Sequence, residues 1–224
     1  MKKRVLEKVA IIGSTGLIGS HILDVCQQTH DIGKITVVSR RQLKLSDTYV
    51  KLEVIDFEDK EQLKSAIKGA DAVFCAVGTT IDNVDGDEEA FRKVDYQIPA
   101  DVSECAKEVG VNHFLMVSSV GANMSSNNFY LKTKGDAEAA VANSGVDMLS
   151  IFRPSLLLGD RKEFRLGEKV GKMIARPFNF LIPDKYKAVE AHDVATAMVE
   201  AAFNQEESRK VYHHDEIMSL LKHK

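Results

Sequence analysis

Tyr130 and Lys134 stand four residues apart in Phe-Tyr-Leu-Lys-Thr-Lys-Gly, eleven residues after Ser119. On a helix, positions i and i+4 share a face, so a phenol and an ammonium in this spacing can enter one pocket. A nearby positive charge favours the phenolate over a phenol whose ordinary pKa is about 10. Tyrosine then becomes a proton donor usable near neutral pH. A serine hydroxyl arriving at the end of the preceding strand can hold the oxygen that receives the proton. Ser119 is the candidate, with Ser118 beside it as the fallback. Such a set suits carbonyl reduction or alcohol oxidation.

A Tyr-x-x-x-Lys pair alone is weak evidence, because such pairs also decorate helix surfaces. Its context strengthens it. Lys8-Val9-Ala10-Ile11-Ile12 is an apolar run too short for a core helix and reads as a buried strand. Gly13-Ser14-Thr15-Gly16-Leu17-Ile18-Gly19 follows, and helical spacing of Leu17, Ile18, Ile22, Leu23 and Val25 then runs to about Gln28. Strand, glycine turn and helix make the first half of a βαβ unit, where backbone N–H groups and the helix N-terminus receive a pyrophosphate. The spacing is Gly-x-x-Gly-x-x-Gly, not the commoner Gly-x-Gly-x-x-Gly.

The second strand, Lys34–Val38, ends in Ser39-Arg40-Arg41. An acidic residue at this point receives the adenosine ribose hydroxyls of NAD, whereas arginine accommodates a 2′-phosphate. Two arginines and no carboxylate stand here, and the planar guanidinium fork suits a phosphate. NADP is therefore the expected cofactor, with NAD second; a solvated basic loop is the plainer alternative.

The elements that must position these residues alternate along the chain. Further strands are expected at Leu52–Ile55, Ala72–Val77, Phe114–Val117 and Met148–Phe152. Helices are expected at Lys60–Lys68, at Glu88–Val109 with a kink at Pro99, and from Tyr130 to about Asn143. Asp193 is read as the N-cap of an apolar helix over Val194–Phe203. Such alternation predicts a Rossmann-type, doubly wound α/β fold: a parallel sheet with helices on both faces and ligands beyond the carboxyl ends of the strands. The glycine turn, Arg40, Asp56-Phe57, Gly78, Ser119 and Pro154 all fall at such ends.

Composition agrees. With 224 residues, 44% of them hydrophobic, the chain has room for one domain with a substantial core. A formal charge of −3 points away from nucleic acid and anionic membranes. The apolar stretch after Lys2-Lys3-Arg4 stops at the glycine turn, without a leader-peptide cleavage pattern, and nothing approaches a membrane span. Cys26, Cys75 and Cys105 lie in apolar stretches and read as buried free thiols in a reducing cytoplasm. The seven histidines lack zinc-ligand spacing.

Together the motifs resemble the short-chain dehydrogenase/reductase superfamily, in its extended and atypical branch, and most of all its small Tat-interacting-protein-like oxidoreductases. They are Gly-Ser-Thr-Gly-Leu-Ile-Gly, Val-Ser-Ser-Val-Gly, Tyr-Leu-Lys-Thr-Lys and Arg153-Pro154-Ser155-Leu156-Leu157-Leu158-Gly159, spanning Ile11 to about Val199. The resemblance implies that Tyr130 is the general acid in reduction and the base in oxidation. It implies that Lys134 tunes the phenol and binds the nicotinamide ribose, and that Ser119 orients the substrate oxygen. Gly13, Gly16 and Gly19 would surround the pyrophosphate, Asp56 and Phe57 the adenine, and Ala76-Val77-Gly78 the adenosine side, with Pro154 bordering the nicotinamide. A small C-terminal region, 155–190, would cover the substrate. Two departures stand out: Ala76-Val77-Gly78 replaces the usual Asn-Ala-Gly, and Asp95 occupies a place where relatives often carry Asn, which puts a proton relay there in doubt.

The sequence therefore reads as an NADP-dependent oxidoreductase. Its expected substrate is a small-molecule carbonyl or alcohol, and it is expected to act as a monomer or homodimer in the cytoplasm. An NADP(H)-binding sensor without turnover is the alternative. A sugar-nucleotide epimerase or dehydratase comes third, because the C-terminal part is short for a sugar-nucleotide subdomain. The apolar residues between Phe164 and Ile182 and the basic residues Arg161, Lys162, Arg165, Lys169 and Lys172 leave the substrate undefined.

Overall fold

Successive side chains on the first strand go to opposite cores, and that parity organises the molecule. In β1 (Leu6–Ile12), Val9 and Ile11 enter one apolar cluster while Ala10 and Ile12 enter a second on the other face of the sheet. Burial on both faces is why this run reads as continuous hydrophobicity instead of alternation. The computed structural model describes residues 4–45, 47–159 and 183–223.

In chain order, β1 is followed by α1 (Leu17–Gln28), β2 (Ile32–Ser39), β3 (Val50–Val54), α2 (Lys60–Ile67) and β4 (Ala72–Cys75). Next come α3 (Glu88–Arg92), α4 (Ile98–Glu108), β5 (His113–Val117), α5 (Phe129–Asn143) and β6 (Met148–Phe152). The described chain ends with β7 (Leu157–Leu158), β8 (Val189–Glu190), α6 (Ala191–Asn204), β9 (Arg209–Tyr212) and α7 (His214–Leu220). Seven strands form the main sheet in the order β3-β2-β1-β4-β5-β6-β9, and all six pairings are parallel. One face is covered by α1, α6 and α7, the other by α2, α4 and α5. This is the doubly wound Rossmann-type architecture, and its switch point, where a ligand crevice opens, lies between β1 and β4.

The elements differ from the sequence reading in four places. The parallel strand β9 extends the sheet beyond β6; Arg209-Lys210-Val211-Tyr212 is too short and charged to announce itself, and pairing with β6 decides its state. The expected helix Glu88–Val109 is not a simple kinked rod. Residues Lys93–Gln97 form a π-helical turn, in which Ile98 donates five residues back to the Lys93 carbonyl. Pro99 has no N–H for the Asp95 carbonyl and its ring crowds that oxygen, so the backbone widens before α4 begins. Asp193 is not a cap: α6 starts two residues earlier, with Glu190 at the N-cap, and Asp193 sits in the first turn, where its charge favours the helix dipole. Finally, β4 ends at Cys75, which leaves Ala76-Val77-Gly78 as loop.

Most of the expected substrate-covering region, together with its apolar and basic residues between 160 and 182, lies outside the described residues. What is described at its two ends is a small parallel pairing of β7 with β8. Cys26, Cys75 and Cys105 are free and buried; burial pushes the Cys26 and Cys75 thiols up to about 12. Among the described residues, no helix is long and apolar enough to cross a membrane, and no cluster of His, Cys, Asp and Glu is placed to hold a metal.

Candidate active site

The glycine turn sits at the switch point because its backbone must pass very close to the β4 end. A methyl group on Gly13, whose φ is +88°, would lie 2.7 Å from the Ala76 carbonyl carbon and oxygen. One on Gly19 would come within 2.0 Å of the Gly13 carbonyl oxygen. Inside this cradle the Gly16 N–H donates to the Gly13 carbonyl at 2.9 Å, and α1 begins at Leu17. No side chain caps α1 and its first turn has no acidic residue, so its N-terminal N–H groups and dipole remain suited to an anion. Ser14 and Ile18 are buried in the turn, while Thr15 is exposed.

The other predicted cofactor residues lie where the strand ends place them. Arg40 and Arg41 are exposed just past β2, and neither has an ion-pair partner among the described residues. The Ile55 N–H donates to the Ser39 carbonyl, which sets exposed Asp56 and half-buried Phe57 beside that strand end. Pro154 is buried, and its carbonyl accepts from the Val120 N–H at 2.9 Å. At the far side, a methyl group on Gly159 would touch Leu17 of α1 at 3.2 Å, so the chain after β6 runs back to the start of α1.

Helix α5 carries an unusual buried face: Lys134 and Glu138, one turn apart, are both buried, with Tyr130 one turn earlier at the rim. Each buried charge has a partner. Lys134 Nζ lies 2.8 Å from Asp95 Oδ1, and the two side chains are only 6% and 1% exposed. The other oxygen of Asp95 accepts from the Thr79 N–H at 2.7 Å. Burial pulls the Lys134 ammonium towards neutrality, but Asp95, Tyr130 and Cys75 outweigh it and its pKa is raised. Gly78 lies against this pair: a methyl group there would stand in ordinary contact, 3.4 Å from Asp95 Oδ1 and 3.8 Å from Lys134 Nζ.

The two serines part company. Ser118 is buried and its hydroxyl donates to Glu138, which is also held by both Nε and Nη2 of Arg153. Ser118 is thus committed to a structural network joining β5, α5 and the end of β6. Ser119 is half-buried and its hydroxyl makes only a 3.3 Å contact with the neighbouring Val120 carbonyl. The loop beyond it is pinned to α5: the Asn123 N–H donates to the Leu131 carbonyl, and Gly135 admits the Asn123–Met124 backbone where a methyl group would sit at 2.4 Å. Tyr130 is 39% exposed, with its ring edge-on to Phe91 at 6.0 Å.

Asp95 joins the candidate site, while Glu138 and Arg153 form the network that fixes Ser118 beside it. Glu138 was signalled by continuing the four-residue spacing beyond Lys134, and Arg153 by its place at the strand end before Pro154.

With this geometry in view, residues 13–205 match the family model described as NAD(P)H-binding. The chain belongs to the NAD(P)H-binding family. Among its relatives are Protein HTATIP2 of Rattus norvegicus, 36% identical over 195 residues that cover 86% of this chain and 78% of that protein. Protein FMP52, mitochondrial, of Candida albicans is 35% identical over 198 residues, covering 86% of each. The fold recurs in the Citrobacter sp. triphenylmethane reductase complexed with NADP(H), at a TM-score of 0.67, 18% identity and coverage of 92% of this chain and 69% of that one. MoeE5 in complex with UDP-glucose and NAD superposes at 0.70 with 15% identity, covering 95% and 80%. The family model and the two relatives bear out the resemblance that the motifs carry, and the solved structures share the Rossmann-type fold.

Proposed function

We propose that this member of the NAD(P)H-binding family is an NADP-dependent oxidoreductase that interconverts a carbonyl and an alcohol. The observation that carries this reading is the buried Lys134–Asp95 pair one helical turn from the rim tyrosine. Burying two charges is unfavourable unless they are well paired, and charged groups perturbed in this way are candidates for functional sites.

The residues fit the cofactor. Gly13, Ser14, Thr15, Gly16, Leu17, Ile18 and Gly19 would hold the pyrophosphate against the open N-terminus of α1. Arg40 and Arg41 would take the 2′-phosphate, Asp56 and Phe57 the adenine, and Ala76, Val77 and Gly78 the adenosine side. Lys134 would reach the nicotinamide ribose, with Pro154 bordering the ring. When bound, the nicotinamide supplies or accepts the hydride. Tyr130 gives its hydroxyl proton to the substrate oxygen in reduction and takes it back in oxidation. The Lys134 charge favours the phenolate that forms, and the Ser119 hydroxyl donates to the substrate oxygen. A small carbonyl compound taken up by a monomer or homodimer is the expected substrate. The cytoplasm is the expected compartment, although the fungal relatives carry "mitochondrial" in their names; imaging of the tagged full-length chain decides it.

Two titrations test the cofactor assignment. NADPH should bind more tightly than NADH, and Arg40→Ala should weaken NADPH about ten- to a hundredfold while barely changing NADH, the loss of a charge-assisted phosphate contact. Equal affinities would remove the role given to the arginines. NADPH oxidation by purified protein across a panel of aldehydes and ketones tests the reaction; tight NADPH binding without turnover of any of them would favour a cofactor sensor.

A further inference from the structure

The motif that reads as a Tyr–Lys pair is a three-residue unit in the folded protein. We propose that Asp95 is a positioning residue that keeps Lys134 an ammonium and aims it beneath Gly78, so that Tyr130 works beside a fixed charge only while Asp95 is ionised. The inference rests on the oxidoreductase reading for its use, but its physical content concerns Lys134 alone.

An amine as dry as Lys134 loses its charge unless a counter-ion is supplied at contact distance. Asp95 is that counter-ion, 2.8 Å away and itself sealed from water. Its carboxylate cannot swing aside, because its second oxygen accepts from the Thr79 N–H at 2.7 Å. Its backbone lies in the π-helical turn that precedes Pro99, which sets where the carboxylate leaves the helix. The remaining titratable groups around Lys134 do not substitute for it. Tyr130, on its own helix, and the Cys75 thiol of β4 also favour the Lys134 charge, but each does so less than Asp95, and burial pushes Cys75 up to about 12. From α3, Arg92 is paired with Asp136 at 2.9 Å, and Glu138, one turn along, is committed to Arg153 and Ser118. A neutral lysine would still fill the space, but it would neither favour a phenolate nor bind a ribose hydroxyl as a cation.

The test is the Asp95→Asn protein, whose amide oxygen still accepts from Thr79 while the charge is gone. The full-length chain is labelled with ¹³C at the lysine side chains and titrated by NMR without cofactor or substrate. The Lys134 signal is assigned by its loss in Lys134→Met. In the natural protein Lys134 should hold its proton beyond the ordinary lysine value of about 10.4. In Asp95→Asn the midpoint should fall by about 3 pH units, as for other buried lysines. An unchanged midpoint would overturn the proposal.

If Asp95→Asn does not fold, the double variant Asp95→Asn/Lys134→Met decides. Recovery of folding in the double variant shows that an unpaired buried ammonium was the fault and supports the inference. Equal failure shows that Asp95 serves only to anchor Thr79, and defeats it. Because no turnover enters these measurements, a protein that binds NADPH without reducing anything would sink the oxidoreductase reading and leave this one standing.

Discussion

Two buried polar clusters lie at opposite ends of the same sheet, and they differ in one respect that separates a site from a strut. At the amino end of β5, His113 contacts the Ser150 hydroxyl at 2.8 Å; Ser150 donates to Gln205, and the Tyr212 hydroxyl donates to the same Gln205 oxygen at 3.0 Å. The Gln205 amide closes the set on the Leu149 and Glu207 carbonyls. Since Ser150 spends its proton on Gln205, His113 must donate from Nε2. Every group in this cluster is neutral: burial lowers His113 to about 4 and raises Tyr212 to about 12. At the carboxyl ends of the strands, by contrast, Asp95 and Lys134 are buried as ions, and Tyr130 beside them reaches the surface. A cluster that only ties strands together is cheapest when neutral and closed. The other keeps a paired charge buried one helical turn from a tyrosine at the surface, as the proposed site requires.

Breaking each cluster should show the difference. Lys134→Met leaves Asp95 buried without a counter-ion and should cost about 3–5 kcal/mol of stability, most of it recovered by adding Asp95→Asn; urea unfolding of the single and double variants measures it. The site cluster would be an ordinary strut if NADPH affinity survived both changes.

The His113 cluster should instead announce itself through acid. Its folded value of about 4 lies below the unfolded value of about 6.5, so between the two the unfolded chain binds a proton that the folded chain refuses. The stability due to neutral His113 is complete above about pH 6.5 and is lost as pH falls towards 4, a loss of about 3 kcal/mol. Unfolding free energies at several pH values should show this slope in the natural protein and a shallower one in His113→Gln, with NADPH binding at neutral pH unaltered in both. The same slope in both proteins would move the acid sensitivity elsewhere.

The smallest effect sharpens the contrast within the site. Ser118→Ala removes one hydrogen bond to a Glu138 that Arg153 still holds, so about 1 kcal/mol of stability should go and turnover should stay. Ser119→Ala should do the reverse. Equal activity losses would mean that the two hydroxyls share the substrate.

Much of this was legible in the chain because it rests on local rules. The glycine turn is dictated by backbone approach at Gly13 and Gly19, the switch point by helix–strand alternation, and the Tyr130–Lys134 spacing by helix geometry. What stayed hidden depends on contacts between distant segments. Asp95 and Lys134 are thirty-nine residues apart in sequence, and Asp95 meets Lys134 from within the π turn before Pro99. Ser118 and Ser119 are indistinguishable by type, and Glu138 with Arg153 separates them. Strand β9 carries little apolar signal of its own and takes its conformation from β6.

The central claim, that the rim phenol is the proton donor of a hydride-transfer site, is tested most directly by single-turnover reduction of a carbonyl substrate in Tyr130→Phe with NADPH bound. The ring and its contact with Phe91 are retained, so folding and NADPH affinity should match the natural protein, while the reduction rate should fall by about 10²–10⁴. A Tyr130→Phe protein that reduces the substrate at the natural rate would contradict it.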